Sequence, residues 1–261
     1  KNYKVPILKV KNPRKCLAIA CEKFYKEKPK NIIAVTGTNG KSSVADFFHQ
    51  ILFLNKIPVA SIGTLGAKEN NRTKKLSLTS PDIISLHKKL NELKKAKIDN
   101  VILEASSHGL AQGRLDGIKF KAGVFTNFSQ DHLDYHKTMK IYFDSKMILF
   151  SKLLKKNSFL ITDSDLREFS KIKKISNSRN LKTLTINTKL SSNFVKKTKL
   201  IGAFQIKNLS MSILSAKLCG LSTKKIDSVL EKIKSVNGRL ELVKKLSNNI
   251  NIFIDYAHTP D

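Results

Sequence analysis

The chain has 261 residues, and 41% of them are hydrophobic, enough to bury a sizeable core and to exclude global disorder. It has no apolar run of about 18 residues, so no membrane-spanning helix is expected. The net charge is +29, but only six of the 49 basic residues are Arg and Lys is spread over nearly every polar segment, so specific nucleic-acid binding is not expected.

Residues 1–29 contain Pro6, Pro13 and a Lys-rich stretch ending at Pro29. Within it, Cys16 to Tyr25 is predicted to be a helix with Leu17, Ala20, Cys21 and Phe24 on one face. Asn31 to Val35 is a short apolar run suited to a buried parallel strand, followed by a Gly-rich loop and a helix to about Asn55. Ile57 to Ile62 is a second strand, and residues 66–78 are a loop or hairpin. Pro81 opens a helix to Lys97. Val101 to Glu104 and Gly123 to Thr126 are strands, Tyr142 to Leu154 is a helix, and Phe159 to Thr162 is a strand. Residues 163–200 are Lys-, Asn- and Ser-rich with weak periodicity, apart from alternation over 189–201 that suggests a strand. Helices follow at about 205–219 and 223–234, then a last strand from Ile250 to Asp255. Strands alternating with helices predict an α/β fold, a mostly parallel sheet with helices on both faces. Cys16, Cys21 and Cys219 form no Cys-x-x-Cys pair, which argues against a zinc site or disulfide framework and fits a reducing, cytoplasmic setting.

The strongest local signal is Val35-Thr-Gly-Thr-Asn-Gly-Lys-Ser-Ser43. A buried strand runs into glycines, then Lys41-Ser42, then a helix. Backbone N–H groups freed by the glycines can close around phosphate oxygens, and the helix N-terminus adds partial positive charge. Lys41 can reach terminal phosphates and the Ser42 hydroxyl can ligate Mg²⁺. The usual G-x-x-x-x-G-K-[ST] spacing is broken at Val35, and a plain strand-turn-helix corner is the alternative.

Gly37-Thr-Asn-Gly-Lys-Ser-Ser43 resembles the GTNGKT[ST] loop of the Mur ligases and folylpolyglutamate synthetases, ATP-dependent amide-forming enzymes. Four more segments are similar to the Mur branch that adds the third amino acid of peptidoglycan precursors. They are Glu104-Ala-Ser-Ser-His-Gly-Leu110, Phe125-Thr-Asn-Phe-Ser-Gln-Asp-His-Leu-Asp-Tyr-His136, Phe143-Asp-Ser-Lys146 and Asp255-Tyr-Ala-His-Thr-Pro-Asp261. The resemblance implies a P-loop-like central domain over 30–250. Residues 1–29 would be the end of a UDP-binding domain with its linker, and 251–261 the start of a hinge to a C-terminal domain, making the chain a fragment that is inactive alone.

It further implies joining of diaminopimelate or lysine to UDP-N-acetylmuramoyl-L-Ala-D-Glu through an acyl phosphate, with Mg²⁺ and ATP, by a monomer. By the same resemblance, Gly37, Thr38, Asn39, Gly40, Lys41, Ser42, Ser43, Asn208 and Arg239 bind ATP, and Ser42, Glu104 and His132 hold metal. Lys41, His132 and a carbamylated Lys146 are catalytic, and Thr79, Ser80, Ser106, Gln112 and Arg114 contact the substrate. Tyr256 and His258 lie at the hinge. Taken alone, Thr79-Ser80-Pro81 also reads as a helix cap, His132 as a loop hydrogen bond, Arg239 as a surface arginine and Lys146 as an exposed lysine. Leu78 and Gln205 depart from the family pattern, which often has Asn at both positions. Competing readings are another ligase of the superfamily, such as a folylpolyglutamate synthetase, and a nucleotide-binding protein that is not a ligase.

Overall fold

A computed structural model describes residues 5–187, 197–248 and 250–257. Its main sheet has eight strands: β1 (Asn31–Thr36), β2 (Val59–Gly63), β3 (Gly66–Glu69), β4 (Arg72–Lys74), β5 (Asn100–Glu104), β6 (Ala122–Phe125), β7 (Phe159–Asp163) and β8 (Lys182–Ile186). They lie in the order β4-β3-β2-β5-β1-β6-β7-β8. The six strands from β2 to β8 in that order are parallel, and the β3–β4 hairpin extends one edge antiparallel.

Helices cover both faces. They are α1 (Pro13–Phe24), α2 (Lys41–Leu54), α3 (Ile83–Lys95), α4 (Ser107–Ala111), α5 (Leu133–His136), α6 (Met139–Ile148), α7 (Phe169–Ser178), α8 (Ala203–Leu218) and α9 (Thr223–Asp227). The period-2 alternation of β1 feeds two cores. Ile33 and Val35 pack with Phe47, Phe48 and Ile51 of α2 and Leu209 and Ile213 of α8. Ile32 and Ala34 pack with Leu86, Leu90 and Leu93 of α3 and with Phe150. Each such buried large side chain contributes roughly 1.5–3 kcal/mol relative to exposure. The strand order runs outward in both directions from β1, whose neighbours are β5 and β6. Ligands in open parallel sheets bind beyond the carboxyl ends of such strands, and here those ends carry Thr36, Glu104 and Phe125.

Several predicted details differ. In α1 the buried residues are Ala18 and Cys21, while Phe24 is 79% exposed, so the apolar stripe is narrower than its spacing suggests. The cap of α3 is Asp82, whose Oδ1 accepts from Ile84 N and Ser85 N at 3.1 and 3.0 Å. Ser80 therefore lies before the helix and is not its cap. The helix expected over 142–154 starts earlier, as α6, and widens after Ile148 into a π-helical turn, Leu149–Leu153. The weakly periodic stretch after 163 holds α7 and β8. The strand expected over 189–201 lies mostly outside the described residues, and 197–201 is not strand. Beyond α9, β9 (Glu241–Lys245) pairs antiparallel with β10 (Asn251–Ile254) in a separate two-stranded sheet. No helix among the described residues is long and apolar enough to cross a membrane.

Candidate functional site

The Gly-rich loop joins β1 to α2 and is stitched to the end of β6. Thr38 N donates to Asn127 O at 3.1 Å, Asn39 N to Asn127 Oδ1 at 2.8 Å, and Thr126 Oγ1 to Asn39 O at 2.5 Å. Two glycines are required by geometry. Gly37 has φ 145°, and a Cβ there would sit 1.9 Å from Thr126 Oγ1. Gly40, the N-terminal boundary of α2, has φ 82°, and a Cβ would sit 2.5 Å from Asn208 Oδ1. No side chain caps α2, so its first-turn amides are left for an anion.

Two lysines converge on this loop. Lys41 Nζ donates to Gly37 O at 3.1 Å and to Thr38 O at 2.6 Å. Lys146, on α6, is 1% exposed, and its Nζ donates to the same Gly37 carbonyl at 2.6 Å. Burial first, and then the Lys41 charge, hold the Lys146 amine well below the usual lysine range. Lys41 is lowered as well, again chiefly by burial. Lys146 packs over the Tyr142 ring, 4.2 Å from its centroid, and Tyr142 OH lies 3.2 Å from Thr38 Oγ1.

Glu104 ends β5 and is 2% exposed. Its Oε1 accepts from Thr64 N at 2.9 Å and its Oε2 from Thr64 Oγ1 at 3.2 Å, while Thr64 Oγ1 is 3.1 Å from Thr79 Oγ1. His132 takes φ 51° at the start of α5, its Nε2 3.4 Å from Asp131 Oδ2. It meets His108 edge-on at 4.9 Å between ring centroids. Burial lowers both imidazoles, which favours neutral rings. A cavity of about 210 Å³ is lined by Thr38, Lys41, Ser42, Thr64, Thr79, Glu104, Ser106, His132, Lys146 and Arg239, among others. A second, of about 220 Å³, adjoins it at Asn39, Gly40, Arg239 and Tyr256 and adds Ser43, Phe204, Asn208 and Asp255.

Residues 35–216 match the Mur ligase middle domain. This chain belongs to the Mur ligases. It is similar to the UDP-N-acetylmuramoyl-L-alanyl-D-glutamate--2,6-diaminopimelate ligase of Chelativorans sp. (strain BNC1), at 37% identity over 98% of this chain and 58% of the relative. The ligase of the same name from Rickettsia bellii (strain RML369-C) is 39% identical over 100% of this chain and 60% of its own. The chain thus spans about 60% of the length of these curated relatives. A solved structure of a ligase with that name superposes with TM-score 0.78 at 26% identity, covering 95% of this chain and 55% of that one. Mycobacterium tuberculosis folylpolyglutamate synthase, solved with ADP, shares the fold, with TM-score 0.71 at 14% identity, covering 95% of this chain and 67% of that one.

In this Mur ligase chain the predicted site residues sort into three groups. Thr38, Asn39, Gly40, Lys41, Ser42, Thr79, Glu104, Ser106, His132, Lys146 and Arg239 meet at the first cavity. Ser43 and Asn208 meet at the second. Gly37, Ser80, Gln112 and Arg114 line neither. Ser80 is 1% exposed, and its hydroxyl bonds Glu104 O at 2.8 Å and Ser106 Oγ at 3.0 Å. Arg114 spends Nε and Nη2 on Gln112 Oε1 and Nη1 on Ser80 O, so its fork braces this loop. His258 lies outside the described residues. Sequence reasoning missed Thr64, Asp131 and Asn127. The loop after β2, Gly63-Thr-Leu-Gly66, was the available signal for Thr64, since it leaves a strand at the same sheet edge as Glu104.

Proposed function

We propose that this Mur ligase chain carries the nucleotide- and metal-binding part of an ATP-dependent ligase that joins diaminopimelate to UDP-N-acetylmuramoyl-L-Ala-D-Glu. The observation that carries the reading is the convergence of the phosphate loop, Glu104, His132 and the buried Lys146 on one cavity at the carboxyl ends of β1, β5 and β6. Diaminopimelate, rather than lysine, is favoured by the names of the relatives.

Phosphoryl transfer to a carboxylate is mostly positioning and charge neutralisation. The α2 amides and Lys41 are suited to hold the ATP phosphates, and Asn208, Arg239 and Tyr256 the rest of the nucleotide. Thr79 and Ser106 face the cavity where the accepting carboxylate would lie, with Ser80, Gln112 and Arg114 bracing that wall. Among the described residues no cluster of three or more His, Cys, Asp or Glu can hold a metal. The donor set fits Mg²⁺ all the same, because that ion takes one or two protein oxygens and completes its shell with water and phosphate. The Ser42 hydroxyl and Glu104 carboxylate would hold it, with His132 beside them. Bound there, it would neutralise charge on the transferring phosphoryl group.

Lys146 is suited to carbamylation. Its neutral amine attacks CO₂, the new N–C bond forms as one C=O π bond opens, the nitrogen's proton passes to solvent, and a buried neutral amine becomes an anion facing the metal donors. The free thiols of Cys16, Cys21 and Cys219 agree with a reducing, cytoplasmic setting. The test is ADP release by the whole ligase of which this chain is proposed to be a part, which should require both UDP-N-acetylmuramoyl-L-Ala-D-Glu and diaminopimelate, with lysine a poor replacement. Release that ignores the UDP substrate, or that responds to DNA, would overturn the reading.

A further inference from the structure

The first turns of α8 touch three separate parts of the molecule. Gln205 donates Nε2 to Arg239 O at 2.8 Å, the amide reaching this carbonyl with the extra methylene that Gln has over Asn. Asn208 lies so close to Gly40 that the phosphate loop has no room for a Cβ. Between them, Lys207 points elsewhere. Its Nζ is 2.5 Å from Asp163 Oδ2 at the carboxyl end of β7 and 3.8 Å from Asp165 Oδ2. The Asp163 side chain is only 3% exposed, and its Oδ1 accepts from Asp165 N at 2.9 Å. Neither Asp163 nor Lys207 lines the two cavities. Further along α8, Ser212 Oγ donates to Val44 O of α2 at 2.9 Å.

Successive helix residues are about 100° apart, so positions 205, 207 and 208 fan out from one axis. A buried carboxylate without its cation is costly, so the pair fixes where α8 sits beside β7. Any shift of α8 moves the Asn208 amide against Gly40 and pulls on the Arg239 backbone through Gln205. We infer that the Asp163–Lys207 ion pair is a positioning element for nucleotide binding. It holds α8 so that Asn208 and Arg239 face the nucleotide, without touching it. This rests on the nucleotide reading given above.

The test is the Kd for Mg-ATP by calorimetry, with thermal melting of each variant alongside. The set is the unchanged chain, Asp163→Asn, Lys207→Met, the double variant and Lys207→Arg. Each single charge removal should weaken ATP about 3- to 30-fold, the range for a residue that acts through a network. The double variant should be no weaker than the worse single, because both break one interaction. Lys207→Arg, which keeps the pair, should stay within about twofold of the unchanged chain. Singles with unchanged Kd, or with effects that add in the double, would overturn the inference, whatever the melting temperatures show. If Asp163→Asn does not fold, Lys207→Met against Lys207→Arg decides, since Lys207 is partly exposed. Failure of the unchanged chain to bind ATP would overturn the nucleotide reading and this inference together. ATP binding with indifferent variants would overturn this inference alone.

Discussion

At the scale of single residues, two lysines on one carbonyl separate positioning charge from reactive amine. Lys41→Ala removes the cation nearest the expected terminal phosphates. ATP affinity by calorimetry should fall at least about tenfold, near 1.4 kcal/mol, and an unchanged Kd would place the phosphates elsewhere. Lys146 differs because burial and Lys41 disfavour its charged form. A carbamate carbon should appear by NMR in ¹³C-bicarbonate and vanish in Lys146→Ala, and the same spectrum from both would count against the modification. Away from the site, His49 is 1% exposed, and burial, aided by Lys68, pushes its pKa down to about 4 from 6.5. Between those values the unfolded chain binds a proton that the folded chain does not, so stability falls as the pH drops from 6.5 toward 4. From pH 7 to pH 5 the ring alone should cost about 2 kcal/mol. His49→Leu should flatten the pH dependence of the denaturant midpoint by about that amount, and parallel curves would rule the ring out as its source.

At the scale of elements, the loop between β1 and α2 depends on backbone as much as on side chains. Gly37→Ala would force a Cβ onto Thr126 Oγ1 at a φ that side chains rarely adopt. It should weaken ATP more than Lys41→Ala does, and the order of the two Kd values checks this. The same loop shows why parts of the fold were legible. β1, β5, β6 and β7 are apolar runs followed by turn residues, and α2 is rich in apolar residues because it packs between α8 and the sheet. α7 and β8 were not legible: in β8 only Ile186 is fully buried, as befits an edge strand, and Lys182, Thr183, Leu184 and Thr185 are exposed or half-buried. β9 is similarly exposed, with a burial pattern that gives no alternation. Within the site, Lys41, Ser42, Glu104 and His132 were legible from motifs. Thr64 was not, because its role is set by a turn of β2 toward Glu104, 40 residues away in sequence. Nor was the inward use of Arg114, since spacing does not reveal that Gln112 and the Ser80 carbonyl will share its fork.

At the scale of the whole molecule, the +29 charge comes mostly from lysines spread along the sequence, while Lys41, Lys146 and Arg239 line the first cavity. Duplex DNA binding by fluorescence anisotropy should therefore be sequence-independent and collapse between about 50 and about 200 mM salt. Retention at the higher salt, or preference for one sequence, would contradict a merely solvated basic surface. The hairpin β3–β4 has a different consequence. Its outer strand is only three residues long, fully exposed, and begins and ends in Arg72 and Lys74. A longer, apolar strand there would offer free backbone donors and acceptors to another copy; short length and like charge repel such a copy. Replacing Arg72 and Lys74 with Val should produce concentration-dependent self-association in light scattering, where the unchanged chain stays monodisperse. Equal scattering from both would leave the hairpin without that task. A guarded β4 edge would let the protein become more concentrated in solution before its sheets join edge to edge.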